Sequence, residues 1–140
     1  MIKDSDIKIA IVGLGYVGFP LAVEFGKLFP VVGFDINLKR VNDLKKGIDE
    51  TAEISSEEFL NSKYLSITNN QKDIADANFY IITVPTPIDK HKNPDLAPIY
   101  SATEMIAEFI EFGNVVVYES TVYPGLTEDE CVPIIEKISG

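Results

Sequence analysis

The sequence predicts an α/β fold built on a doubly wound parallel sheet. Three observations predict it. Short apolar runs alternate with longer amphipathic stretches along the whole chain. The runs are apolar at consecutive positions, so both faces of each strand must be covered. The chain has 140 residues, 46% of them apolar, which suits one domain with its own core. Strands alternating with helices imply parallel pairing and right-handed crossovers.

The elements follow in order. Residues 7–12 (Ile-Lys-Ile-Ala-Ile-Val) form a β-branched run that ends at a glycine cluster, a strand. Residues 16–28 place Val17, Leu21 and Phe25 on one helical face, and Pro30 stops the helix. Residues 31–35 are a second strand. Residues 37–46 are a helix with Leu38, Val41 and Leu44 inward; Lys45 and Lys46 suit its negative end and Gly47 its cap. Ser55 and Glu58 have capping-box spacing and open a short helix to Leu60. Residues 64–68 and 79–84 are strands. Residues 85–94 hold three prolines and form a long loop. Asp95 caps a helix with Pro98 in its first turn, running to about Phe112. Residues 115–119 are a fifth strand, and Thr127, followed by three acids, starts a last helix. No linker or repeat interrupts residues 1–140, which read as one domain. The expected strand order, 3-2-1-4-5, places a ligand cleft between strands 1 and 4.

Composition excludes several function classes. Twenty-two acids against 12 bases leave a net charge of −10. That balance argues against nucleic-acid binding and against docking on anionic membrane. The single cysteine, Cys131, rules out a disulfide framework and a multi-cysteine metal site, so no metal is expected. The N-terminus carries no signal-like apolar stretch, and the apolar region from Ile7 to Phe25 is broken by Gly13, Gly15, Gly18, Pro20 and Glu24. A cytoplasmic location is the expectation. His91, the only histidine, sits in a charged loop and reads as solvated. Cys131 reads as a small buried apolar residue within the last helix.

One constellation carries chemistry. Gly13-Leu14-Gly15-Tyr16-Val17-Gly18 matches G-x-G-x-x-G. It follows the first strand, opens a helix, and precedes by 22 residues an acid, Asp35, at the end of the second strand. In such a Rossmann-type turn Gly13 permits the bend, Gly15 lets a pyrophosphate approach the backbone, and Gly18 lets helix and strand pack closely. The pyrophosphate then rests on unpaired N–H groups at the helix N-terminus. Asp35 accepts from the ribose hydroxyls and repels a 2′-phosphate, which favours NAD over NADP. Lys39 and Arg40 lie near enough to weaken that preference. FAD-binding and methyl-transfer sheets share a glycine turn and an acid, and the fingerprint alone does not separate them.

Further residues resemble a known family. Ile9-Ala-Ile-Val-Gly-Leu-Gly-Tyr-Val-Gly-Phe-Pro-Leu-Ala22 and Gly33-Phe-Asp-Ile-Asn37 with Arg40 and Val41 resemble the opening of the UDP-glucose/GDP-mannose dehydrogenase family. Gly47-Ile-Asp-Glu-Thr-Ala-Glu53, Val84-Pro-Thr-Pro87 and Glu119-Ser-Thr-Val-Tyr-Pro-Gly125 resemble its loops after the second helix, strand 4 and strand 5. The last two are more like the branch that oxidises UDP-N-acetylhexosamines for capsule, Vi-type or O-antigen polysaccharides.

The resemblance implies an NAD cofactor and a set of site residues. Tyr16 and Val17 present backbone N–H groups to the pyrophosphate, and Asp35 holds the ribose. Arg40 lies along the adenosine half, Thr86 near the nicotinamide ribose. Thr121 contacts the cofactor and helps hold a catalytic water. Arg40, Thr86 and Thr121 also have ordinary readings: an exposed helix charge, a turn residue and a strand end. The implied reaction oxidises a UDP-sugar C6 alcohol to a carboxylate with two NAD, through capture of the aldehyde by a cysteine. That cysteine and its lysine partner belong to later domains, beyond residue 140. The implied whole protein is a homodimer or larger, and the chain is expected to be its N-terminal cofactor domain, inactive alone. Two other readings stay open: a stand-alone nucleotide-sensing module, and the cofactor domain of another NAD-linked dehydrogenase.

Overall fold

In a computed structural model, residues 2–120 and 124–140 are described. The elements are β1 (Ile9–Val12), α1 (Gly18–Gly26), β2 (Val31–Phe34), α2 (Leu38–Lys45) and α3 (Ser56–Asn61). They continue with β3 (Leu65–Thr68), β4 (Phe79–Ile82), α4 (Ala97–Ala107), β5 (Val115–Tyr118) and α5 (Val132–Ser139). The five strands form one sheet in the order β3-β2-β1-β4-β5, and every pair is parallel. The expected architecture and strand order are the observed ones.

Strand geometry divides the core. Successive side chains point to opposite faces. Ile9 and Ile11 of β1 therefore join Phe19 and Val23 of α1 and Val41 and Leu44 of α2 on one face. Ala10 and Val12 join Tyr80 and Ile82 of β4 and Ala102 and Ile106 of α4 on the other. All four β1 residues are buried, which explains the unbroken apolar run. A third cluster, Ile99, Leu126 and Cys131, docks the last helical segment on α4.

The helix ends show which local signals carry. At α2, the Gly47 N–H donates to the Leu44 carbonyl and the Ile48 N–H to the Asp43 carbonyl, with Gly47 at φ +81°. That is a Schellman cap on the expected glycine. The Ser55–Glu58 capping box is formed in both directions. Other boundaries move. α1 begins at Gly18, not residue 16, because Tyr16 and Val17 belong to the turn. Strand 1 begins at Ile9, not residue 7, and the link from β3 to β4 is a 3₁₀ turn over Gln71–Ile74. The N-cap of α4 is Leu96; Asp95 instead accepts from the Ala97 N–H at 3.0 Å. α4 stops at Ala107, five residues before Phe112, because a turn through Gly113 (φ +88°) must feed β5. Thr127 is not a cap. It lies inside a π-type turn, Thr127–Cys131, which the chain enters from Gly125 (φ +89°), whose carbonyl accepts from the Asp129 N–H.

Candidate functional site

The C-terminal ends of β1, β2, β4 and β5 share one edge of the sheet. There the chain order reverses between β1 and β4, the place where open α/β sheets bind ligands. Pairing of Val12 with Ile82 sets Gly13 beside Thr83. Gly13 leaves the strand at φ +102°, and a Cβ on it would stand 2.9 Å from the Thr83 carbonyl carbon and the Val84 nitrogen. The buried Thr83 hydroxyl donates to the Gly13 carbonyl at 2.6 Å, tying β4 to the turn. Gly18 closes over the same spot, where a Cβ would overlap the Gly13 carbonyl oxygen and the Thr83 hydroxyl.

Side chains grip the turn at its middle residue. The Leu14 N–H donates to Asp35 Oδ2 and the Asn37 N–H to Asp35 Oδ1, both at 2.9 Å. Each oxygen of the half-buried Asp35 thus holds one donor and keeps acceptor capacity. The Leu14 carbonyl accepts from Arg40 Nε at 2.8 Å. Beyond Leu14 the turn opens to solvent. Gly15, Tyr16 and Val17 are exposed, and their N–H groups have no protein acceptor among the described residues. A Cβ on Gly15 would meet nothing within 4 Å, and its φ lies outside the left-handed region.

These features fit a dinucleotide. Bare N–H groups at the N-terminus of a nine-residue helix are an anion cradle. Space over Gly15 admits a phosphate, and Asp35 retains acceptors for hydroxyls. Neither cation near Asp35 is free. Lys39 is paired with Asp43 at 2.7 Å and with Glu50. The hydrogen bonds it donates to Asp43 and then Glu50 hold its ammonium above the usual lysine range. Arg40 is no solvated helix charge: its side chain is 10% exposed, pairs with Asp49 at 2.8 Å, and covers the Phe19 ring at 5.4 Å.

Asp49 is the centre of the loop after α2. Burial pushes its carboxyl up, but hydrogen bonds from Thr51, Arg40 and Ile54 outweigh that and hold it below the usual range. A depressed carboxyl stabilises the fold above its unfolded value of about 3.9. That stabilisation is lost as pH falls through the lower folded value. Melting curves should therefore place Asp49→Asn about 2 kcal/mol below the native chain at pH 7, roughly 6 °C. The gap should narrow below about pH 4; an equal gap at both pH values would contradict this reading.

The remaining expected residues are placed as follows. Thr86 lies half-buried in the loop after β4, and its hydroxyl has no protein partner among the described residues. Thr121 lies outside the described residues. Its neighbour Ser120 is described, and its hydroxyl donates to the Val84 carbonyl at 2.7 Å, joining the loops after β4 and β5. His91 is exposed. Cys131 is fully buried, as expected, beside Tyr118, whose phenol is pushed up by burial. Among the described residues no group of three or more His, Cys, Asp or Glu is placed to hold a metal, and no helix is long and apolar enough to cross a membrane. Sequence reading missed Thr83, Asp49 and Ser120. Thr83 had a signal: a threonine directly after the apolar strand that neighbours the glycine turn.

The fold and the turn together define a Rossmann-type nucleotide-binding domain. Residues 7–140 match the UDP-glucose/GDP-mannose dehydrogenase family, NAD binding domain, and the chain belongs to that family. It is 56% identical over 136 residues to a UDP-N-acetyl-D-glucosamine 6-dehydrogenase of Pseudomonas aeruginosa, covering 97% of this chain and 32% of that protein. It is 52% identical over 132 residues to protein CapL of Staphylococcus aureus, covering 94% and 31%. Among solved structures, the UDP-D-ManNAc dehydrogenase of Pyrococcus horikoshii superposes with a TM-score of 0.87 at 33% identity, over 96% of this chain and 33% of that one. The chain thus spans about a third of the length of the curated relatives it matches.

Proposed function

We propose that Gly13, Gly15, Tyr16, Val17, Gly18, Asp35, Arg40, Thr86 and Thr121 bind NAD as the cofactor half of a UDP-sugar 6-dehydrogenase. The observation that carries the reading is the exposed row of acceptor-free N–H groups over Gly15, at the head of α1 and beside Asp35. In this reading Gly15, Tyr16 and Val17 donate to the pyrophosphate, which explains how a chain of net charge −10 holds a polyanion. Asp35 accepts from the adenosine ribose. Thr86, with a hydroxyl that has no protein partner among the described residues, would meet the nicotinamide ribose, and Thr121 would contact the cofactor and help hold a catalytic water. Bound NAD would supply the hydride acceptor for oxidation of the sugar's C6 alcohol.

The likeness to a UDP-N-acetyl-D-glucosamine 6-dehydrogenase supports a UDP-N-acetylhexosamine as substrate; a role in surface polysaccharide synthesis and a cytoplasmic location complete the proposal. The sugar site, the catalytic cysteine and the subunit contacts of a dimer or larger assembly would lie in the two thirds of those relatives that this chain does not match. Residues 1–140 would then bind cofactor without turning over sugar.

The pairing of Lys39 and Arg40 with acids sharpens the cofactor choice. Lys39 and Arg40 are both committed to acids, and Asp35 repels a 2′-phosphate. Calorimetric titration should show NAD binding at least tenfold more tightly than NADP, about 1.4 kcal/mol. Tighter NADP binding would contradict the role of Asp35.

A further inference from the structure

The carboxylate of Asp49 takes five hydrogen bonds. Arg40 Nη1 donates at 2.8 Å, the Thr51 hydroxyl at 2.7 Å, and the N–H groups of Thr51, Glu53 and Ile54 at 3.1, 3.2 and 3.2 Å. Its side chain is 6% exposed. One bond would pair the arginine; the other four fix the carboxylate itself. Arg40 in turn spends Nε on the Leu14 carbonyl and leaves Nη2 buried with no acceptor among the described residues. A guanidinium free to choose its rotamer would satisfy that donor in water. Its pose is instead set by Asp49 at one end and by the glycine turn at the other.

The consequence for the turn is geometric. The Leu14–Gly15 peptide is planar and trans, so its C=O and N–H point in opposite directions. Anchoring the Leu14 oxygen inward on Arg40 sends the Gly15 N–H outward, to the open side of the turn. Asp35 holds Leu14 by its own N–H. The two side chains thus fix both polar groups of one residue, and with them the plane that presents the first phosphate donor.

We propose that Asp49 is a positioning residue for the cofactor's pyrophosphate, acting through Arg40 on the Leu14–Gly15 peptide. This rests on the reading that the turn binds NAD. In that role Asp49 touches no part of the cofactor, and its loss removes phosphate affinity while leaving adenosine recognition by Asp35 in place. A merely structural role would weaken both ligands alike.

The test uses NMR-detected titrations of the native chain, Asp49→Asn and Thr51→Val with ADP and, separately, with adenosine. An asparagine side chain in place of Asp49 offers one acceptor oxygen where two are needed. A valine in place of Thr51 removes the hydroxyl that donates to Asp49 Oδ1. Asp49→Asn should bind ADP about tenfold more weakly and Thr51→Val about threefold, each with adenosine affinity within about twofold of the native chain and with ADP losing more than adenosine. Unchanged ADP affinity, or equal losses for ADP and adenosine, would overturn the proposal. Should Asp49→Asn fail to fold, Thr51→Val decides by the same comparison. A native chain that binds neither ligand refutes the NAD-binding reading itself, an outcome distinct from a native chain that binds and variants that match it.

Discussion

Gly18→Ala should unfold the domain at temperatures where the native chain is intact. A Cβ at this position overlaps the Gly13 carbonyl oxygen and the Thr83 hydroxyl, and stands 2.8 Å from the Gly13 carbonyl carbon. Two of these three atoms are backbone, so no rotamer change relieves the clash. The hydroxyl is itself committed to the Gly13 carbonyl. α1 would have to withdraw from β1, opening the contacts of Phe19, Ala22 and Val23 with the sheet. Overpacking of a core costs about 1–3 kcal/mol and more where backbone must move. A loss of about 3 kcal/mol lowers the melting temperature by roughly 10 °C in a domain of this size. Thermal unfolding followed by circular dichroism measures it. A drop of under about 2 °C would show that the turn and helix separate more easily than their packing implies.

Gly15→Ala should do the reverse: leave the fold and remove the ligand. Nothing in the chain lies within 4 Å of a Cβ at Gly15, and its backbone suits an L-residue. The fold therefore has no need of a glycine there. The need arises if a phosphate sits against the N–H groups of Gly15, Tyr16 and Val17. A methyl group on that surface would hold the phosphate off its donors. Losing one charge-assisted hydrogen bond costs about 1.5–3 kcal/mol, or about 10- to 100-fold in affinity. Stability should stay within about 0.5 kcal/mol, the range for surface substitutions.

The contrast between these glycines also shows what was legible in the sequence. The motif, its place between strand and helix, and Asp35 at the right spacing are local features, and the structure builds the turn they describe. β1, β2 and β4 were legible because burial on both faces demands near-continuous apolar runs. The Gly47 and Ser55 caps were legible because each rests on bonds within a few residues. What escaped depends on distant pairing. Thr83 meets Gly13 across 70 residues of sequence, and Arg40 meets Leu14 across 26. Nothing in residues 38–45 distinguishes a solvated arginine from one buried under the turn until Asp49 is folded back on it. Thr127 misled because its three following acids mimic a helix start. The chain had already begun to coil from Gly125, and tertiary docking of Leu126 and Cys131 on α4 set the boundary.

The central claim is that this acidic domain holds a dinucleotide on bare backbone at the head of α1. Calorimetric titration of NAD into Gly15→Ala and the native chain, with melting curves on the same samples, tests it most directly. The account predicts melting temperatures within about 2 °C and an NAD affinity at least tenfold weaker for the variant. Equal NAD affinities in two equally stable proteins would contradict it, because the phosphate would then rest somewhere other than on the turn.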